Sequence, residues 1–239
     1  MGGSLEGKRA LITAGGAGMG RATAIAMQNL GATVVTCDVD RQALAELPEG
    51  ITTFVCDVSN PDAVDAMFDQ ILPGGLDILV NNAGIGGPTK PVEQVSNDEW
   101  RQCMGVCIDA QFYCARRAVP VFREQQHGVI INLVSAAGIL GFPNRSPYVA
   151  AKHGVIGLTR GLAVDLGREG ITVNCICPGP IITGITSGIP DEHKEIYAKR
   201  RVPLRRYGIP EEVANITLSL VLPAASFLNG VHIPVDGGM

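Results

Sequence analysis

Short, almost unbroken apolar runs alternate along this chain with stretches of helical periodicity. Arg9-Ala10-Leu11-Ile12-Thr13 reads as a buried strand, a glycine-rich turn follows, and Arg21 to Leu30 repeats its apolar positions at helical spacing. Thr33 to Cys37 and Thr53 to Cys56 are further strands, and Pro61 to Leu72 is an amphipathic helix. Asp77 to Val80 is another strand, after which a long helix is predicted from about Asn97 to Glu124. The pattern continues with a strand through Ile130 to Val134, a helix opened by Tyr148, a strand over Thr172 to Ile176, a helix over Pro210 to Leu222 and a strand over Val231 to Val235. Strands that stay apolar on both sides and alternate with helices predict an α/β fold with a parallel sheet covered on both faces. Ligands of such sheets bind beyond the carboxyl ends of the strands. Residues 181–206 are polar, glycine-bearing and without strong periodicity, and are expected to form a mobile lid over a pocket.

Composition narrows the function. With 239 residues and 46% hydrophobic content, the chain is long enough for one large core, so residues 1–239 are expected to form one domain. A net charge of −4 gives no broad basic field, which argues against nucleic acid and anionic membrane as partners. No apolar run approaches the length of a membrane span, and the N-terminus lacks a signal-peptide pattern. Met1-Gly2-Gly3-Ser4 reads as an appended leader. The seven cysteines form no CxxC pair, and Cys175 and Cys177 are expected on opposite faces of a strand. An odd number of thiols inside apolar runs predicts reduced, buried cysteines and a cytoplasmic protein. Four scattered histidines offer no metal-ligand spacing, so no metal is expected.

Chemistry concentrates at Tyr148 and Lys152. Four positions apart on a helix, they share a face, so an ammonium sits beside a phenol and favours its phenolate, which turns a weak proton acceptor into a base. Ser135, at the end of a strand, is placed to hold a substrate oxygen. The turn Ala14-Gly15-Gly16-Ala17-Gly18-Met19-Gly20 between a strand and a helix suits a pyrophosphate, which takes the unpaired N–H groups of a helix N-terminus. Asp38 ends the second strand, where a carboxylate accepts hydrogen bonds from an adenosine ribose and repels a 2′-phosphate, favouring NAD. The competing reading has Asp38 starting a turn or capping a helix.

Together these residues resemble the classical short-chain dehydrogenase/reductase family along nearly the whole chain. Thr13 to Gly20 is similar to its TGxxxGxG turn, Asp57-Val58 to its adenine contact and Asn81-Asn82-Ala83-Gly84 to its NNAG element. Ser135, Tyr148 and Lys152 match its catalytic serine and YxxxK, and Pro178-Gly179 with Thr183 match its PG motif and nicotinamide-side threonine. The resemblance implies a single Rossmann-type domain with a seven-stranded parallel sheet and an NAD-dependent oxidoreductase interconverting a secondary alcohol and a ketone. It implies that Tyr148 exchanges the proton, Lys152 assists it and holds the nicotinamide ribose, and Ser135 stabilises the substrate oxygen. The cofactor-binding set so implied is Gly15, Gly18, Met19, Gly20, Asp38, Asp57, Val58, Asn82, Ala83, Gly84, Tyr148, Lys152, Pro178, Gly179, Ile181 and Thr183. The family also implies a homo-oligomer, a tetramer or a dimer, and the small and apolar residues on several sides of the Tyr148 helix suit such packing.

Two positions depart from the family's pattern. Ala14 replaces the first glycine of the turn, which is tolerable if its φ stays below zero. Cys107 stands where the catalytic asparagine is expected; a thiol cannot fully replace an amide's hydrogen bonds, so either the proton relay runs through backbone and water alone or proton exchange is slow, and a working enzyme with a weakened relay is expected, with Cys107→Asn raising turnover. Arg145 lies near Tyr148 and is either a fork for a substrate carboxylate or half of a surface salt bridge. The segment resembles the cytosolic 3-hydroxybutyrate dehydrogenase branch there, which implies a small hydroxy acid as substrate. The alternatives are a neutral ketone, sugar or cyclic alcohol, or a nucleotide-binding protein without chemistry, for which Cys107 is the only support. Lys199, Arg200, Arg201, Arg205 and Arg206 are expected to be mostly a solvated or subunit-contact cluster.

Overall fold

The computed structural model describes residues 4–239, so Met1 to Gly3 of the expected leader lie outside the described residues. Strands β1 (Arg9–Thr13), β2 (Thr33–Asp38), β3 (Thr52–Val55), β4 (Ile78–Asn81), β5 (Gly128–Leu133), β6 (Ile171–Pro178) and β7 (His232–Val235) make one parallel sheet in the order β3-β2-β1-β4-β5-β6-β7. The predicted seven-stranded Rossmann-type fold is therefore the observed one, in a single layered unit.

Continuous apolar runs are needed because every central strand is buried on both faces. Leu11 of β1 faces a cluster with Phe68, Cys114, Phe122 and Ile130, whereas its neighbour Ile12 faces Met27, Val34, Val80 and Val213. Helices α1 (Gly18–Asn29), the short α2 (Arg41–Ala45) and α3 (Pro61–Ile71) follow the first three strands. Asn60 caps α3 by accepting from Asp62 N and Ala63 N, with Pro61 in the first turn where no N–H partner is lost. Phe68 on α3 is fully buried, which stabilises the fold by about 1.5–3 kcal/mol through its apolar surface.

The long predicted helix is present but not uniform. Ser96 and Glu99 form a capping box at the start of α4 (Asn97–Met104), a π-helical turn spans Gly105–Asp109, and α5 (Ala110–Gln125) completes it. Helix α6 (Ser146–Leu166) follows β5, and α9 (Pro210–Val221) packs on α1. The segment read as lacking strong periodicity holds two helices, α7 (Gly184–Ser187) and α8 (Asp191–Arg201). Helix α8 is polar nearly all round, with only Ala198 buried, and so leaves no periodic apolar stripe to read.

Two local expectations are corrected. Ala14 adopts φ +52°, the left-handed region, rather than a negative φ. Cys175 and Cys177 share one apolar cluster with Val134 and Val155, because strand residues two apart point the same way. All seven cysteines are free and buried. No helix among the described residues is long and apolar enough to cross a membrane, and no cluster of potential metal ligands occurs there.

Candidate active site

Strand β1 pairs with β2 on one side and β4 on the other, so the chain reverses its direction of sheet growth at the carboxyl end of β1. That crevice is where the glycine turn lies. A Cβ at Gly15 would stand 1.8 Å from Thr36 Oγ1, and one at Gly20 would stand 2.2 Å from Ala14 O, so close packing admits only glycine at both. Gly18 has φ +54°, and its open side faces Thr183. The Thr13 hydroxyl, almost wholly buried, accepts from Asn82 N at 2.9 Å and Ala83 N at 3.0 Å, which ties the NNAG segment to the turn.

Asp38 sits beside this turn. Its Oδ2 accepts from Gly16 N at 3.0 Å and its Oδ1 from Asp40 N at 3.1 Å. Asp40, not Asp38, caps α2. Asp38 does start a turn, as the competing reading held, yet its carboxylate also lies against the phosphate-binding loop. Asp57 is exposed and accepts from Ser59, shaping the turn ahead of α3, with Val58 buried behind it. The residues present fit a dinucleotide: glycines at the points of closest approach, a carboxylate at the end of β2, and a helix N-terminus between them.

The catalytic candidates converge beyond β5. Ser135 lies two residues past the strand and accepts from Ala137 N at 3.1 Å. Tyr148 is in the first turn of α6, and Lys152 is one turn further along, only 3% exposed. Lys152 Nζ donates to Leu133 O at 2.9 Å and stands 5.8 Å from the centre of the Tyr148 ring. Ser135 and Tyr148 line a cavity of about 570 Å³ together with Phe142, Arg145, Gly179 and Tyr197. A smaller space of about 120 Å³ joins the same two side chains to Met19, Ile181 and Thr183, next to the glycine turn. Ile185 of α7, Ile189 between the two helices, and His193 and Tyr197 of α8 border the larger cavity.

Arg145 makes no ion pair among the described residues. Its Nη1 donates to Thr89 Oγ1 at 3.1 Å and its Nη2 to Gly86 O, while its guanidinium lies 5.0 Å from the Tyr148 ring centre. The salt-bridge alternative is thereby excluded within the described chain, and Nε remains buried and unpartnered. The five cations near the lid are exposed, and Lys199 and Arg206 pair with Glu195 and Glu212.

Cys107 falls in the middle of the π-helical turn. Its Sγ donates to Ile85 O at 3.3 Å, and with Cys103, Ala151, Tyr148 and Ile85 it forms a small apolar cluster. The hydrogen-bonded Cys103 thiol, aided by the Lys152 charge, draws the Cys107 thiol below its ordinary range, and the same contact together with burial pushes Cys103 up. The sequence reading missed Gln111, whose side-chain amide donates to both Cys107 O and Leu133 O at 3.3 Å. A glutamine at a position buried on an otherwise apolar helix face was the available signal.

A parallel sheet with a glycine cradle at its switch point, a serine and a tyrosine lining an adjoining cavity and a buried lysine beside the tyrosine point to a dinucleotide-binding oxidoreductase. The enzyme family is shown by comparison. The sequence model described as enoyl-(acyl carrier protein) reductase matches residues 13–239. The chain is 35% identical to the 3-oxoacyl-[acyl-carrier-protein] reductase of Thermotoga maritima, over 98% of each chain. It is 38% identical to the meso-2,3-butanediol dehydrogenase of Serratia marcescens, over 98% of this chain and 94% of that one. The solved aldohexose dehydrogenase of Thermoplasma acidophilum superposes with a TM-score of 0.92 at 31% identity, covering 99% of this chain and 96% of that one. The protein belongs to the classical short-chain dehydrogenase/reductase family. It is an oxidoreductase of alcohols and ketones that works with a nicotinamide cofactor.

Proposed function

We propose that this enzyme is NAD-dependent and interconverts a secondary alcohol and a ketone, with a small hydroxy acid as its substrate class. The observation that carries the reaction is the convergence of Ser135 and Tyr148 on one cavity that continues to Met19 and Thr183. When bound, the cofactor supplies or accepts the hydride. Tyr148 takes the proton from the substrate hydroxyl, or returns it to the carbonyl oxygen in the reverse direction. Ser135 donates a hydrogen bond to that oxygen as charge develops on it. Lys152, 5.8 Å from the centre of the tyrosine ring, keeps two N–H groups for the ribose. Asp38 supports NAD, because a second negative group on the ribose would face its carboxylate beside Gly16.

Arg145 supports the hydroxy-acid class. It borders the cavity without a carboxylate partner, and its two recorded hydrogen bonds use two of its five N–H groups. Phe142, Ile185 and Tyr207 give the cavity apolar walls beside Arg145. The names of the similar butanediol and aldohexose dehydrogenases support the second reading, a neutral alcohol or sugar.

The test is NADH formation from NAD by purified protein across short hydroxy acids and matched neutral secondary alcohols, with Arg145→Ala alongside. Turnover of the acids that collapses in the variant supports a carboxylate-reading dehydrogenase. Equal turnover of neutral alcohols, unchanged by Arg145→Ala, rejects the hydroxy-acid class. We further read the working protein as a cytoplasmic homo-oligomer, a dimer or a tetramer, on the exposed apolar Phe112 of α5 and Val164 of α6.

A further inference from the structure

We propose that Gln111 is the positioning residue for Lys152, holding the helix turn and the lysine's acceptor in the place left by the missing asparagine at Cys107. The proposal rests on the reading of Tyr148 and Lys152 as the proton-transfer pair.

Gln111 is 1% exposed, on the first turn of α5 immediately after the π-helical turn. A buried amide on a helix in an apolar core is costly unless it is hydrogen-bonded. Its Nε2 donates to Cys107 O, four residues back along the helix, and to Leu133 O, at the end of β5. One amide group thus bridges the widened turn to the strand that carries Ser135. The orientation of the amide is fixed by its neighbours, because a flip would set Oε1 against two carbonyl oxygens.

Leu133 O is the atom that decides the consequence. It accepts from Lys152 Nζ at 2.9 Å, and this is the ammonium's one hydrogen bond among the described residues. A carbonyl has two lone pairs, so Gln111 and Lys152 share it without competing. The second donor locks the direction of the carbonyl and hence the depth at which the lysine charge sits beside Tyr148. Cys107 cannot do this. Its Sγ is committed to Ile85 O on the other side of the turn. The Gln111 Oε1 and Asn81 Oδ1 are both buried and without a partner, and Asn81 Nδ2 donates to the Gln111 backbone carbonyl at 3.4 Å. The network thus leaves two unpartnered acceptors close to the lysine's anchor.

The experiment compares the parent with Gln111→Met, which keeps the length and removes both donors, and uses Gln111→Glu if the first variant does not fold. Two readouts are taken. In cofactor-free protein, the rate of Lys152 acetylation by dilute acetic anhydride is followed by peptide mass spectrometry, and it is expected to rise about threefold or more as the anchor loosens. In the active enzyme, kcat is expected to fall about tenfold, and the acid limb of the kcat–pH profile to move up by about half a unit or more. A variant with unchanged Lys152 acetylation overturns the proposal whatever its turnover. So does raised acetylation with an unmoved pH profile, since that describes a packing role alone. If the parent itself turns over no alcohol, the proton-transfer reading fails on its own, and the acetylation rate still decides whether Gln111 holds Lys152.

Discussion

Asn82 Nδ2 donates to Ala14 O at 3.0 Å, and Ala14 is held in the left-handed region at φ +52°. The same nitrogen reaches Thr13 O, also at 3.0 Å. An L-residue with a Cβ loses roughly 1–2 kcal/mol in that region, so the turn is kept by its partners and not by local preference. Ala14→Gly is expected to raise the thermal midpoint modestly, since relief of strain exceeds the added unfolded-state entropy of about 0.4–1 kcal/mol. Asn82→Ala is expected to lower the midpoint and weaken dinucleotide binding together. Differential scanning calorimetry with and without NAD checks both.

Tyr148→Phe is expected to lower turnover at least about a thousandfold while NAD binding, read by fluorescence titration, stays within about twofold. Retained turnover would remove Tyr148 from the chemistry.

Asp38→Ser is expected to reduce the ratio of kcat/KM for NAD over NADP by about tenfold or more, because the carboxylate that would face a 2′-phosphate is gone. Steady-state kinetics with both cofactors measures it. An unchanged ratio would place the ribose away from Gly16.

Cys107→Asn is expected to raise turnover. The new amide reaches Ile85, while Gln111 keeps the Cys107 backbone oxygen. Loss of turnover would instead show that the turn depends on the thiol and its neighbour Cys103.

Glu212 connects the end of the lid to α9. Arg206 donates to it at 2.8 and 2.6 Å, and with help from the Ile209 N–H this holds its carboxyl down at about 2. A depressed carboxylate stabilises the fold above its unfolded value of about 4.3, and that contribution disappears as pH falls toward 2. The thermal midpoint of the parent should therefore drop more steeply from pH 4.3 to 2 than that of Glu212→Gln. The pair is exposed, so the difference should be small and should shrink with added salt.

The central strands were legible because each is buried on both faces, and a run such as Leu11-Ile12 has no other use in a chain of this charge. The closeness of Tyr148 and Lys152 was legible because helix geometry places Lys152 one turn beyond Tyr148. Helix α8 was not, since its contribution to the cavity comes from single residues, His193 and Tyr197, on an otherwise solvated rod. The sign of φ at Ala14 and the widened turn at Gly105–Asp109 were also out of reach. The first is held by a distant partner, Asn82, and the second is tied through Gln111 to Leu133, 22 residues away, and no local pattern records such contacts. Arg145 was placed near the pocket correctly, but its stacking on Tyr148 depends on the loop of Gly86 and Thr89, far away in sequence.

The seven buried thiols give the molecule a built-in clock. They are spread over β2, the turn before α3, α4, the π-helical turn, α5 and β6, so together they sample six parts of the framework. A thiol reagent added to the folded protein can react only with forms that have opened around a given cysteine, so its rate at each position counts how often that part comes apart. Cys103 and Cys107 would time the helix behind the catalytic tyrosine, Cys175 and Cys177 the strand opposite Ser135, and Cys37 the strand that ends in Asp38. Saturating NAD should slow the first and last of these most, giving a map of which openings the cofactor suppresses without any engineered probe.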